Sequence, residues 1–283
     1  MGKDTWTNRR AALLSVRTMN LYYNTWQSDS KCNWVMDSLL KGWPGAVRGD
    51  RQDIQNAPSA VWGIIENNSY VMKNVDEYWF WDMPFWGRWT RTSTHEHYWH
   101  AAKNNFYPTD IRNYPSDRFD AWNVKLTPYT DGKHILICPS SDTMTLQVTG
   151  QTSDQWLAYT ITKLKKHTDR PVVVRHKPRI NGMSGPDAES LSGSTSVQAD
   201  LMDAYCVVTT VSLVALEAQL AGIPTFCHPR SFAAGVSETD LSKIEYPKLA
   251  DREAWLNWLA YNQFTEQEIA TGFAYNILQD MYK

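Results

Sequence analysis

Between Lys133 and Pro229 short apolar runs alternate with longer stretches of helical spacing: KHILICPSS, SDQWLAYTITKLKKHT, RPVVVRHKP, SVQADLMDAYC, VVTT, VSLVALEAQLAG and IPTFCHP. Strand-length runs rich in β-branched residues, each followed by a helical stretch, predict βαβ units and a parallel, doubly wound sheet. Each strand ends in a polar cluster: Pro139-Ser140-Ser141, Arg175-His176-Lys177 and Thr209-Thr210. In an open α/β sheet ligands bind at the carboxyl ends of the strands, so these clusters are expected to converge on one crevice.

The first half reads less regularly. AALLSVRTMNLYY suggests a strand running into a loop, DSKCNWVMDSLLKGW a helix capped by Ser28 or Asp29, and SAVWGIIE and VDEYWFWD two further strands. Gly42 is expected to end that helix, with Trp43-Pro44-Gly45 making the turn. Two Rossmann-like lobes with parallel sheets and a crevice between them follow. They divide near LTPYTDG into residues 1–130, which are Trp-rich, and 131–283. The last segment, from Asp251 to Lys283, reads as two helices packing back on the first lobe, with Thr265 and Glu268 forming a capping box.

Composition narrows the class of function. The formal net charge of −2 argues against a strong electrostatic grip on nucleic acid. The amino terminus has arginines but no apolar core of signal length, and no window approaches the roughly 18 apolar residues of a membrane span. A cytoplasmic protein is therefore expected, in the host cytoplasm if phage-encoded. Cys32, Cys138, Cys206 and Cys227 show no CxxC spacing, which speaks against a disulfide framework or a structural zinc. His95, His97 and His100 lie close in STHEHYWH, but 100 falls on the other face of a strand and no HExxH is present, so no metal site is expected.

Thr209, Thr210 and Ser212 stand where a strand enters a helix, a place that suits an anion because helix amino termini offer free N–H groups. That helix carries a single charged residue, Glu217. A carboxylate in a run of Val, Leu and Ala either accepts bonds from a ligand, such as ribose hydroxyls, or marks with Gln219 a narrow wet face.

These residues resemble a family. TTVSLVALEAQLAGIPTF looks like the donor-binding segment of GT-B glycosyltransferases, in which a strand, a Ser/Thr pair, a helix containing Glu-Ala and a Gly-x-Pro turn hold a nucleotide sugar. The resemblance spans roughly residues 132–275 and extends, more loosely, to the nonhydrolysing epimerases of the same fold. FWDMPFWGRW, RFDAW, HILICPSS, RHKPR, DLSKIE and WLAYNQFT are similar to a group of phage and bacterial GT-B-like proteins, a likeness that implies the fold and not the substrate. The resemblance of the donor-binding segment implies a nucleotide-sugar donor, a UDP-sugar as first expectation, and no tightly bound cofactor.

On that reading Ser140, Ser141, Thr209, Thr210 and Ser212 hold the donor's phosphates and Glu217 its ribose. Arg175, His176, Lys177 and Arg179 form a cationic cluster suited to a diphosphate that gains charge as the sugar leaves. In DEYWFWDMPFWGRWTR, Trp79, Trp81, Trp86 and Trp89 offer either an acceptor-stacking surface or filling for an irregular lobe, with Arg88 and Arg91 available to phosphates. Asp82, directly after a strand, is the expected base for the acceptor hydroxyl, with Asp29 its rival. The aromatic first lobe and the phage-like resemblance point to a hydroxymethylated pyrimidine in DNA as acceptor. A polysaccharide or glycolipid acceptor, a sugar-nucleotide epimerase and a noncatalytic nucleotide- or glycan-binding module stand as alternatives.

Overall fold

In the computed structural model, which describes residues 17–26, 30–65, 67–89, 93–176 and 196–283, the chain forms two separate β-sheets. The first begins with β1 (Met19–Leu21), α1 (Lys31–Gly42), β2 (Ala46–Arg48), β3 (Ser59–Trp62), α2 (Asn68–Asn74) and β4 (Tyr78–Asp82). β2, β1, β3 and β4 lie side by side in that order, all parallel, and β5 (Tyr98–Lys103) pairs antiparallel with β4. The cap of α1 is Ser30, one or two residues later than Ser28 or Asp29. Its backbone is extended and its hydroxyl accepts from the Asn33 N–H, which leaves Lys31 as the first helical residue.

After α3 (Asp117–Asp120) comes the second sheet, built from β6 (His134–Cys138), α4 (Asp142–Thr149), α5 (Ser153–Leu164), β7 (Val172–Val174), α6 (Val197–Leu201), β8 (Ala204–Thr209), α7 (Val214–Leu220) and β9 (Thr225–Phe226). Its order is β7-β6-β8-β9 and every pair is parallel. All six residues of β8 are buried, as a central parallel strand covered on both faces requires.

The tail then leaves the second sheet. α8 (Glu253–Tyr261) leads into β10 (Gln263–Thr265), which pairs antiparallel with β5 and forms the far edge of the first sheet; α9 (Glu266–Ala270) and α10 (Phe273–Met281) follow. The strand between the helices is a difference from the two-helix reading, because QFT is too short to show a period. The Thr265–Glu268 capping box is present and opens α9. α9 lies so close to the end of α1 that a Cβ on Gly42 would stand 1.8 Å from the Ile269 carbonyl oxygen, so no other residue fits there.

One apolar core runs through both halves. It joins Trp79, Trp81 and Trp99 of the first sheet to Ala215 and Leu216 of α7 and to Phe232, Trp255 and Trp258. Phe85, in the loop after β4, packs 5.2 Å from Phe232, and the Gln263 side-chain carbonyl accepts from the Phe85 and Trp86 N–H groups. The segment between the sheets is pinned by Arg252, whose guanidinium donates to the carbonyls of Gln219 at 2.5 Å and Thr127 at 2.9 Å and lies over the Tyr129 ring. No helix among the described residues is long and apolar enough to cross a membrane.

Candidate functional site

The polar ends of β6 and β8 meet. Thr210 Oγ1 donates to Ser140 Oγ over 2.6 Å, and the same oxygen accepts from the Val211 N–H at 3.3 Å. Ser141 is exposed and caps α4, accepting from the Met144 N–H. Ser212 Oγ accepts from the N–H of Val214, the first residue of α7, at 3.4 Å, while Leu213 at the cap position offers no side-chain acceptor. Ser140, Ser141, Thr210 and Ser212 therefore gather at one end of the sheet, at the mouths of two neighbouring parallel strands. Thr209 shares that end, but it is buried and its hydroxyl donates to the Cys138 carbonyl at 2.6 Å, so its proton is committed to tying β8 to β6.

Glu217 is an exposed residue in α7, whose Val214, Ala215, Leu216, Ala218 and Gln219 are all buried. Its charge contributes to the rise of the Cys138 thiol, which burial pushes up to about 12. Gln219 does not share its wet face: it is fully buried, accepts from the Tyr129 hydroxyl at 2.8 Å and donates to Thr225 Oγ1 at 2.8 Å. An amide needs both kinds of partner in the interior, and here it has them.

Arg175 corrects the expectation of an open cationic cluster. Its guanidinium is buried and ion-paired with the buried Asp200 carboxylate of α6. Burying an arginine demands an opposing charge, and Asp200 supplies one from within the fold, so Arg175 joins the end of β7 to α6. His176 is partly exposed beside it. Lys177 and Arg179 lie outside the described residues, as do Asp29 and Arg91.

On the first sheet Asp82 ends β4, half-buried, with Oδ1 accepting from the Met83 N–H at 2.7 Å. Directly opposite it in the β4–β5 register is His100. This imidazole is buried, with Nδ1 2.6 Å from the Met83 carbonyl oxygen and Nε2 3.1 Å from that of Phe106, and the Tyr107 ring stacks on it at 5.2 Å. Burial pulls the His100 pKa below its ordinary value, against the opposing pull of Asp82 and the two carbonyls. Burial and then Asp82 raise that of Tyr107, which Arg88 opposes. The exposed Arg88 thus brings its charge to the same corner. His100 was weighed in the sequence only as a metal ligand; its place behind Asp82 depends on strand register, which no local motif records.

Trp81 and Trp86 offer no stacking surface. Trp81 is 0% exposed, and Trp86 is 8% exposed, packed against Phe85, Phe119 and Trp122. The crowded indoles fill the core of the first half. His95, His97 and His100 diverge: His97 stacks on Trp89 at 4.0 Å and meets Glu266 at 3.2 Å, while His95 is exposed. Among the described residues no group of three His, Cys, Asp or Glu could hold a metal.

No protein-family model and no curated protein matches the sequence. Among solved structures the chain is similar to the Thermosulfurimonas dismutans KpsC, beta Kdo 2,7 transferase, at a TM-score of 0.50 and 16% identity, over 92% of this chain and 99% of that one. The beta Kdo 2,4 transferase of the same organism gives 0.49 and 13% identity over 88% and 92%. The fold is therefore GT-B-like, with two Rossmann-like halves.

Proposed function

We propose that this protein is a glycosyltransferase that moves a sugar from a nucleotide-sugar donor to a hydroxyl acceptor. The observation that carries the reading is the Ser140–Thr210 pair at the joined ends of β6 and β8, beside Ser212 at the start of α7 and the exposed Glu217, in a GT-B-like fold. Ser140, Ser141 and Ser212 bear hydroxyls for the donor's phosphates, with the buried Thr210 orienting that of Ser140, and Glu217 accepts from its ribose hydroxyls. His176 adds a polar group at the neighbouring strand end. In the transfer, the acceptor oxygen bonds to the anomeric carbon as the bond from that carbon to phosphate breaks. The electron pair leaves on the nucleotide, and the hydroxyl proton passes to Asp82.

The solved transferase widens the donors to be screened, since its name specifies Kdo transfer. A hydroxymethylated pyrimidine in DNA remains one acceptor for assay. The burial of Trp81 and Trp86 removes the aromatic argument for it, which leaves glycan hydroxyls on an equal footing. The Arg175–Asp200 pairing favours a second reading, a nucleotide-binding module without transfer, because one cation expected at the diphosphate is already neutralised.

Thermal-shift titration of the purified chain with nucleoside mono- and diphosphates and their sugars tests binding. A ligand at about 100 times its dissociation constant stabilises by about 2.7 kcal/mol. Incubation of any binder with DNA and glycan acceptors, with mass analysis of products, then separates transfer from binding alone. If no nucleotide shifts the melting point, the proposal fails.

A further inference from the structure

A cavity of about 330 Å³ opens on the α5 side of the second sheet, at the carboxyl end of β8 beside Thr209. One wall is a single helical stripe, Trp156, Tyr159, Thr160 and Lys163, spaced i, i+3, i+4 and i+7 along α5. The facing wall comes from the ends of β8 and β9, and includes Phe226 and His228.

Thr160 stands out within that stripe. A threonine inside a helix ordinarily returns its hydroxyl to the carbonyl four residues back. Thr149 and Thr162 do so here, at 2.7 Å to Thr145 and 2.8 Å to Ala158. Thr160 does not: its Oγ1 is buried and has no hydrogen-bond partner among the described residues, although the residue is 0% exposed. Leaving a hydroxyl dry and unpaired costs about 1–3 kcal/mol, so a buried orphan on a cavity wall points to a partner supplied from outside the chain.

The chemistry of the walls narrows that partner. Lys163 at the rim is paired with Asp240 at 3.7 Å, so the charges there cancel. His228 is held below its ordinary pKa by burial and then by Arg230. Its Nδ1 accepts from the Arg230 N–H, which leaves Nε2–H as a donor. Burial pushes the Cys227 thiol up to about 11, so that thiol stays protonated. What remains is an aromatic and aliphatic lining with scattered hydroxyl, amide and imidazole groups and no net charge. At the small end of the range for small-molecule sites, the volume suits one ring rather than a chain.

We propose that this cavity is a binding site for a single neutral pyranose unit, whose apolar face lies on Trp156 and Tyr159 and one of whose hydroxyls bonds Thr160. The site adjoins the donor group, since Thr209 stands in its wall and the His228 N–H donates to the Thr210 carbonyl, and glycoside binding there does not depend on transfer. Saturation-transfer NMR of the full chain with methyl β-D-glucopyranoside, methyl β-D-galactopyranoside and methyl α-D-mannopyranoside tests it, with uridine alongside. At least one glycoside is expected to receive saturation, and the signal to be lost in Tyr159→Ala and in Thr160→Val. The valine matches threonine in shape and removes a hydroxyl without a partner, and Tyr159 is exposed, so both variants should fold. In the unaltered protein the Trp156 indole ¹⁵N–H signal, assigned with Trp156→Phe, should shift on titration. Absence of any glycoside signal overturns the proposal, as does its survival in both variants, or a response to uridine alone.

Discussion

Thr210 Oγ1 donates to Ser140 Oγ over 2.6 Å, a bond between side chains seventy positions apart that joins the carboxyl ends of β6 and β8. With Thr210 fully buried, the bond sets the direction of the serine oxygen at the candidate site. Thr210→Val removes the donor and leaves the Ser140 hydroxyl its contact from the Val211 N–H. The expected cost is about 1 kcal/mol in urea unfolding, together with weaker binding of whichever nucleotide stabilises the parent protein.

Asp200 neutralises Arg175 inside the fold. Asp200→Asn leaves a buried guanidinium without its counter-charge, and a loss of about 3–5 kcal/mol is expected by chemical denaturation. Replacing both by apolar residues, Arg175→Met with Asp200→Leu, should recover most of that loss. A double variant as unstable as Asp200→Asn would show that Arg175 has a further essential partner.

Asp82 tests the transfer step alone. Asp82→Asn keeps the shape and the bond from the Met83 N–H but cannot take a proton at neutral pH. Transfer should fall by roughly 10²–10⁴-fold while the nucleotide-induced thermal shift stays unchanged. Normal turnover in the variant would remove Asp82 from the role of base.

Glu217 is exposed, so its replacement should spare the fold. Glu217→Gln is expected to change unfolding stability by no more than about 0.5 kcal/mol, yet to weaken nucleotide binding, measured by calorimetry. The opposite pattern, lost stability with unchanged binding, would make it a structural residue.

Acid should weaken the protein in two stages. His100 and His228 are both held below their ordinary value, mainly by burial. Asp82, Arg88 and the two facing carbonyls also act on His100. Between those lowered values and the ordinary 6.5 the unfolded chain binds more protons than the folded one, so stability rises with pH there. Their contribution is complete above 6.5 and is lost as pH falls below it. Glu245 is held below its ordinary 4.5 by Thr168 and Arg170, so its contribution is present above that value and goes only in stronger acid. Urea midpoints across the range should show both steps, and His100→Gln should flatten the first.

Much of the second sheet was legible in the sequence, because a strand buried on both faces must be apolar throughout and HILIC and VVT leave little alternative, although β8 begins three residues earlier, at Ala204, inside the stretch read as helical. The Thr265–Glu268 box was equally local, since its two bonds close within four residues. The candidate site was only half legible. Ser140 and Thr210 could be named as strand-end hydroxyls, but the commitment of Arg175 to Asp200 and of Thr209 to the Cys138 carbonyl depends on which elements pack together. The aromatic run DEYWFWDMPFWGRW shows the limit most clearly, as an indole suits a stacking surface and a core equally well and only the closing of the chain around Trp81 and Trp86 distinguished them.

By itself, then, the sequence determined the α/β architecture with its parallel second sheet, the polar strand ends and the solitary charge in α7, all consequences of periodicity and of the cost of burying ionised groups. Tertiary structure decided that Glu217 lies outside and Gln219 inside, that β10 returns to edge the first sheet, and that His100 stands behind Asp82. Those outcomes turn on helix rotation, strand register and long-range pairing, where the energies come from partners distant in the chain and leave no mark in its local pattern.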